Sequence, residues 1–241
     1  MPVYKSFAIE SIPPKSCTMH ISSAVVSADL SQCYDAVVHA IAMMAMRAFV
    51  VPAVAIKLVI TFLQTMYFWL RTAHGVSTAP FHGTPANPFM GLSQGSGWEP
   101  SGFTAVLTLT IDTYKDAGNG VAYVSPVTMA TMFLVAILSV NDTGLLMRAV
   151  STSTTDRKFW TSIQKALDNW AGIVMVTGGS VKPKKCQVSV NLWRFERGVA
   201  KLKTRRRLPK TPITVLQKDR SRARIPLLEL GKSRKMLGFY S

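Results

Sequence analysis

Acidic side chains follow two apolar segments of the chain, where they could act as metal ligands. The small β-branched run ISSAVVSADL, residues 21–30, is typical of a buried strand that carries Asp29 near its C-terminal end. The stretch SVNDTGLL, residues 139–146, predicts a hairpin that turns at Asn141 and Asp142. Carboxylate oxygens are the ligands that hard cations such as Mg²⁺ prefer. A structural role stays open as well, with Asp29 as a helix N-cap and the Asn-Asp pair as turn formers.

Between these acids the chain is strongly apolar. Apolar residues continue from 36 to about 70, and Pro52 divides them into two helices. Residues 48–70 have about the length of a membrane span. However, Lys57 lies at the centre of that run, and a central Lys costs about 2.5–3.5 kcal/mol on insertion scales. We therefore expect a buried helical hairpin rather than a span.

The remaining segments are predicted from periodicity and from turn residues. Residues 75–102 are rich in Gly, Pro and Ser and predict a loop. Residues 103–118 predict a helix, with a strand as the alternative because the segment holds many Thr. Residues 156–176 predict a helix with one apolar face. Residues 186–204 predict a hairpin that turns at Arg197 and the glycine after it, and the residues beyond it predict loops with short strands.

Positive charge is concentrated at the C-terminal end. The formal net charge is +16. Residues 1–180 hold 10 Lys and Arg against 9 Asp and Glu, whereas residues 181–241 hold 18 against 3. Such a segment repels itself unless an anion lies against it, so we expect nucleic acid as the partner, ahead of an anionic membrane surface. The candidate contacts for phosphates and bases are Trp193, Arg194, Arg197, Arg205, Arg206 and Arg207.

Cysteine and histidine usage excludes two other classes of protein. Cys17, Cys33 and Cys186 form no CxxC pair and are odd in number, which favours a reducing, intracellular compartment over a disulfide scaffold. The four histidines have no zinc-ligand spacing with these cysteines. The N-terminal residues also lack the pattern of a signal peptide.

Five short motifs occur in an order that resembles the palm domain of reverse transcriptases. They are ADLSQCYDAVVH (28–39), GLSQGSGWEPSGF (91–103), SVNDTGLL (139–146), GGSVKPKKCQVSVNLWRFERG (178–198) and SRKMLGF (233–239). The chain looks most similar to retroelement-type reverse transcriptases of diatoms and other protists. The resemblance implies an α+β polymerase palm, an antiparallel sheet backed by helices, with fingers and thumb largely absent. It also implies an RNA template, a DNA primer and a dNTP as partners.

The resemblance assigns roles to particular residues. Asp29 matches the first metal ligand and Asp142 its partner on the hairpin, which together would hold two Mg²⁺ ions beside the attacking and leaving oxygens. Lys185 matches the lysine proposed to protonate the departing pyrophosphate. The positions beside the nucleotide and template are Tyr34, Gln94 and Gly95.

The chain departs from the family pattern at the metal site. Asn141 stands where the family has the aspartate that bridges both metals, and Ser139 replaces an aromatic residue. An amide offers one neutral oxygen and cannot bridge two cations, so we expect weakened Mg²⁺ binding and impaired catalysis. Gly144 stands where similar proteins tend to have an acid, and Trp98 and Glu99 where they tend to have small residues.

Three functions of different classes are therefore open. The first is RNA-directed DNA polymerisation by a palm with a defective metal site. The second is a non-catalytic, basic nucleic-acid-binding remnant of a retroelement, and the third is a small membrane protein with a basic cytoplasmic tail. We expect an N-terminal segment at 1–20, a palm-like domain at 21–204, and a basic tail at 205–241 that carries the last palm hairpin.

Overall fold

The chain folds into a mixed structure of helices and antiparallel sheets, in agreement with the predicted α+β class. The computed structural model describes residues 20–31, 34–84, 86–93, 97–125, 127–139, 142–228, 235–236 and 239–240. The chain divides into two compact units. The sheet unit comprises residues 1–31, 114–173 and 180–241, and the helical unit comprises residues 32–113 and 174–179.

Four α-helices are described, and their positions follow the sequence pattern closely. They are α1 (His39–Ala48), α2 (Ala53–Thr65), α3 (Glu99–Asp116) and α4 (Asp156–Val176). Pro52 immediately precedes α2, as predicted for the residue that divides the apolar run. The predicted bounds of α4 are confirmed at both ends, whereas α3 begins at Glu99, before the predicted start. Within the described residues, no helix is both long and apolar enough to cross a bilayer.

Most of the described strands are short, and only a few of them form the main sheet. The strands are β1 (Ser23–Ser31), β2 (Tyr67–Phe68), β3 (Arg71–Thr72), β4 (Gly75–Val76), β5 (Phe81–His82), β6 (Val121–Val124), β7 (Thr131–Leu134), β8 (Ala136–Ser139), β9 (Asp142–Arg148), β10 (Ser180–Val181), β11 (Gln187–Asn191), β12 (Trp193–Glu196), β13 (Val199–Leu202), β14 (Thr214–Leu216), β15 (Arg222–Arg224), β16 (Lys235–Met236) and β17 (Phe239–Tyr240). Two short 3-10 helices cover Pro183–Lys185 and Arg205–Arg207.

Strand β1 is the centre of the main sheet. It pairs with β9 along one edge and with β11 and β10 along the other, and β8 pairs with the outer edge of β9, all antiparallel. Alternate residues of β1 point to opposite faces of the sheet. Ala24, Val26, Ala28 and Leu30 are at most 6% exposed and form the core face. The opposite face carries Ser23, Ser27 and Asp29.

The apolar stripe of α4 contributes to the core of the sheet unit. Phe159, Ile163, Leu167 and Trp170 recur at helical spacing and are fully buried, as the sequence predicts. The polar side of the same helix binds part of the C-terminal segment. Trp160 Nε1 donates to the Thr211 carbonyl at 2.9 Å, and Gln164 exchanges two hydrogen bonds with the Thr214 backbone, at 2.7 and 2.9 Å. The β14–β15 hairpin is thereby fixed to α4, with Ile213, Val215 and Ile225 buried.

In the helical unit, two glycines allow the segment after β1 to pass close to other backbone. Gly178 has φ +97, and a Cβ there would lie 1.9 Å from the Ala36 carbonyl oxygen. Gly91 has φ +95, and a Cβ there would lie 2.8 Å from Asp35 backbone atoms. Both positions therefore require glycine. At these contacts Val38 donates to the Thr177 carbonyl, and Gly91 donates to the Val37 carbonyl.

A buried aromatic pair in the sheet unit carries polar atoms that have no partner among the described residues. Tyr114 and Trp170 meet edge to face at 5.4 Å between ring centroids, and neither the Tyr114 hydroxyl nor Trp170 Nε1 has a hydrogen-bond partner there. Burial raises the pKa of Tyr114 well above its usual range, because the phenolate would lose its hydration.

Replacement of Tyr114 by Phe is expected to remove part of the loss of folding stability at alkaline pH. Above about pH 10 the unfolded chain ionises this tyrosine and the folded chain does not, so the free energy of unfolding falls by about 1.4 kcal/mol per pH unit. That component should disappear in Tyr114→Phe, measured by urea unfolding at pH 8 and at pH 11. At pH 8 the variant should equal the natural chain or exceed it by up to about 1 kcal/mol. A clear loss of stability at pH 8 would show that the hydroxyl is hydrogen-bonded.

Candidate active site

The two candidate metal ligands lie directly opposite each other in the main sheet. Residues from Ser23 to Asp29 of β1 pair with Arg148 to Asp142 of β9, so that Asp29 faces Asp142. Side chains that face each other in an antiparallel pair share one side of the sheet, with Cβ atoms about 4.5–5.5 Å apart. Asp142, predicted to lie in the turn, is instead the first residue of β9, because it pairs with Ser139 of β8 as well as with Asp29.

The face that carries these carboxylates is the polar face of the sheet. Asp29 is only 6% exposed, and Ser27, two residues earlier, is 3% exposed. Gln187 of β11 pairs with Ser27 and therefore shares this face. Both Ser27 Oγ and Gln187 Oε1 are buried without a hydrogen-bond partner in the described part of the chain. Sequence analysis did not select these two residues, although strict alternation along β1 would have placed Ser27 beside Asp29.

Lys185 reaches Asp29 through a local backbone contact. The Lys182 N–H donates to the Asp29 carbonyl at 2.9 Å, and a 3-10 turn at Pro183–Lys185 follows. This connection brings Lys185 Nζ to 3.4 Å from Asp29 Oδ2. The separation is longer than that of a tight charge-assisted hydrogen bond, about 2.7–2.9 Å. The Lys185 side chain is 59% exposed and the Asp29 side chain only 9%, so the lysine is the partner that is free to move toward solvent.

Tyr34, one of the predicted nucleotide-binding residues, belongs to the helical unit. The Tyr34 ring packs on Phe103 of α3 with 4.7 Å between centroids, and the Tyr34 carbonyl accepts the Leu92 N–H at 2.9 Å. Tyr34 therefore adjoins the segment that leads into Gln94 and Gly95. These two residues, like Asn141 at the hairpin, lie outside the described residues.

The bulky pair at the start of α3 is accommodated locally. The Trp98 ring lies over Gly102, where an added Cβ would come within 2.3 Å of the ring. Glu99 is 7% exposed and is the acid in the first turn of α3, where the helix dipole favours a negative charge. The two residues that depart from the family pattern thus have a structural role in this chain.

The basic hairpin turns where predicted but is shorter than the predicted range 186–204, because β11 joins the main sheet instead, and its two faces differ in chemistry. Strands β12 and β13 turn at Arg197 and Gly198, both with positive φ, as a two-residue hairpin turn requires. Trp193 and Phe195 lie on one face, and Arg194 lies on the other with Lys201 directly opposite it. The interleaved aromatic and basic residues of the sequence are therefore separated in the hairpin itself.

One acid on this hairpin contacts several of the candidate phosphate-binding residues. The Glu196 carboxylate is paired with Arg194, with Lys201 at 3.3 Å and with Arg207 at 3.6 Å. Lys203 pairs separately with Asp156 of α4. Exposed ion pairs of this kind contribute about 0–1 kcal/mol each. Part of the charge that the sequence assigns to a nucleic-acid partner is thus compensated within the chain.

Comparison with known proteins assigns the chain to no family. No protein-family model matches the chain, and none of the curated proteins searched is similar to it. The resemblance to reverse transcriptases therefore depends on the sequence motifs alone.

The donor set at the polar face fits one hard divalent cation. Asp29 and Asp142 supply two carboxylates on one side of the sheet, which is the type of ligand Mg²⁺ takes. A cluster of three or more Asp, Glu, His or Cys residues that could hold a metal is not found among the described residues.

Replacement of Asp142 by Asn is expected to stabilise the chain when no divalent cation is present. Like charges directly opposite each other in a sheet are destabilising, by about 0.2–1 kcal/mol. The free energy of unfolding of Asp142→Asn should therefore rise by up to about 1 kcal/mol in EDTA. The exposed carboxylate of α3 gives a matched control, Asp112→Asn, which should change little.

Added Mg²⁺ should make the natural chain more stable than Asp142→Asn. A ligand that binds only the folded state stabilises that state. Thermal unfolding of the natural chain should shift upward with MgCl₂, and that of Asp142→Asn should not. A loss of stability in Asp142→Asn without metal would mean that the carboxylate makes a favourable contact rather than a repulsive one.

Proposed function

We propose that this chain is a reverse transcriptase-like palm, built for template-directed nucleotidyl transfer but impaired at its metal site by Asn141. The observation that carries the proposal is the meeting of Asp29, Asp142 and Lys185. They come from three motifs that are far apart in the sequence. The resemblance implies that they share one site, and the register and the 3.4 Å contact bring them together.

The arrangement suits chemistry on phosphate. Bound Mg²⁺ would stabilise the charge on the attacking and leaving oxygens of such a transfer. Asp29 and Asp142 would hold it, and Asp29 is fixed in position because its strand is paired along both edges. Lys185 keeps an exposed ammonium beside this carboxylate, which leaves it a proton to donate to a departing pyrophosphate.

The basic hairpin supplies a surface for the nucleic acid. Phe195 is 54% exposed and offers a ring on which a base can stack. Arg197 lies in the turn, and Arg205, Arg206 and Arg207 form an exposed 3-10 turn soon after β13. If the chain has lost catalysis, binding through this surface remains as its function, in line with the alternative of a nucleic-acid-binding remnant.

Primer extension on a primed RNA template tests the catalytic proposal. With Mg²⁺ or Mn²⁺ and dNTPs, Asn141→Asp should extend the primer at least about tenfold faster than the natural chain, because it restores a charged ligand. Adding Asp29→Asn to Asn141→Asp should abolish extension. Adding Asp112→Asn instead should leave it unchanged.

Three results would contradict the proposal. Undiminished extension by the Asp29→Asn double variant would show that the polar face is not the site of chemistry. Absence of extension by a folded Asn141→Asp variant that binds the template would leave only the binding function. Equal extension by the natural chain and Asn141→Asp would instead show that Asn141 is no defect.

A further inference from the structure

Glu196 is surrounded by cations in a way that goes beyond an ordinary surface ion pair. Its Oε1 contacts Arg194 Nη1 and lies 3.6 Å from Arg207 Nη1, while its Oε2 lies 3.3 Å from Lys201 Nζ. The three cations come from β12, from β13 and from the 3-10 turn at Arg205–Arg207. Three positive groups thus converge on one negative group, which leaves this cluster with an excess of two positive charges.

The fold of the hairpin explains why the cations converge there. Arg194 pairs with Lys201 across the strands, and Glu196 lies two residues after Arg194, on the same face. The tight turn at Arg197 and Gly198 keeps the two strands in this register. Backbone pairing therefore holds Arg194 and Lys201 side by side without the help of Glu196.

We propose that Arg194, Lys201 and Arg207 form a phosphate-binding site that the chain fills with its own Glu196 carboxylate. A carboxylate offers two oxygens to such donors, and a phosphate group offers three oxygens with more charge. Arginine side chains suit both ligands because their planar fork donates in parallel. Removal of the carboxylate would expose all three cations to an incoming phosphate.

The exposure of the cluster indicates that the glutamate can be displaced. Glu196, Lys201 and Arg207 are 43%, 53% and 58% exposed, so solvent and salt screen their pairing. Arg194 is only 25% exposed, and its buried Nε–H has no partner in the described part of the chain. The Arg194 guanidinium therefore has one N–H that Glu196 does not satisfy.

The phosphate could belong to a nucleic-acid backbone or be a free anion, and the choice of the backbone rests on the proposed function. Binding is measured without Mg²⁺ and without dNTPs. Failure of nucleotidyl transfer would therefore leave this inference intact, and failure of this inference would not affect the test of Asp29 and Asn141.

The test compares Glu196→Gln with the natural chain in binding a fluorescein-labelled single-stranded dT oligonucleotide by anisotropy. Near 0.1 M KCl, Glu196→Gln should bind about three- to tenfold more tightly. Its dependence of log affinity on log salt should steepen by about 0.7, the value for one more phosphate contact on a single strand. The matched control Asp116→Asn removes the same charge from the exposed end of α3 and should change affinity by less than about 1.5-fold.

A second pair of variants keeps the inference testable if Glu196→Gln unfolds the hairpin, which circular dichroism would show. Arg207→Gln should weaken oligonucleotide binding at least threefold more than Arg157→Gln, which removes an exposed arginine from the first turn of α4. Competition by about 1 mM inorganic phosphate would assign a free anion, and resistance to it would assign the nucleic-acid backbone. Equal affinities for Glu196→Gln and Asp116→Asn in folded proteins, or for Arg207→Gln and Arg157→Gln, would overturn the proposal.

Discussion

The pairing register of β1 with β9 decides which residues can act together in this protein. Side chains alternate between the faces of a strand, so a shift of one residue would move Asp29 to the core face and bring Ala28 to the polar face. The observed register is fixed by burial of Ala24, Val26 and Ala28 on one face and of Leu145 and Met147 opposite them. The apolar core therefore sets the position of the two carboxylates, although neither of them belongs to it.

The pairing of Asp29 with Asp142 lowers the stability of the sheet and, by the proposed function, is also what would bind a metal ion. Two carboxylates, one of them buried, face each other on the polar face of the sheet, which is unfavourable unless a cation lies nearby. Lys185 provides one, but at 3.4 Å and largely exposed it compensates Asp29 only in part. A divalent cation would compensate both carboxylates, so the repulsion between them would favour metal binding. The basic hairpin shows the opposite imbalance of charge, since the single carboxylate of Glu196 contacts three cationic side chains.

Periodicity and turn chemistry predicted most of the local structure. The bounds of α4, the division of the apolar run at Pro52 and the hairpin turn at Arg197 were all predicted, because each depends on residues close in sequence. Contacts between distant segments were not. The pairing of Ser27 with Gln187, the docking of Thr214 on Gln164 and the Glu196 cluster depend on which strands become neighbours, and no local pattern encodes that. The meeting of Asp29 with Asp142 was anticipated only through the resemblance, and the placement of Asn141, Gln94 and Gly95 stays a prediction.

Equilibrium binding of Mn²⁺, followed by electron paramagnetic resonance, tests most directly whether Asp29 and Asp142 form a cation site. Mn²⁺ takes the same oxygen ligands as Mg²⁺ and its free and bound forms are distinguished by their spectra. The account predicts about one Mn²⁺ per chain, lost in both Asp29→Asn and Asp142→Asn and retained in Asp112→Asn. Unchanged Mn²⁺ binding in Asp29→Asn and Asp142→Asn would contradict it and would separate the polar face of the sheet from any metal-dependent chemistry.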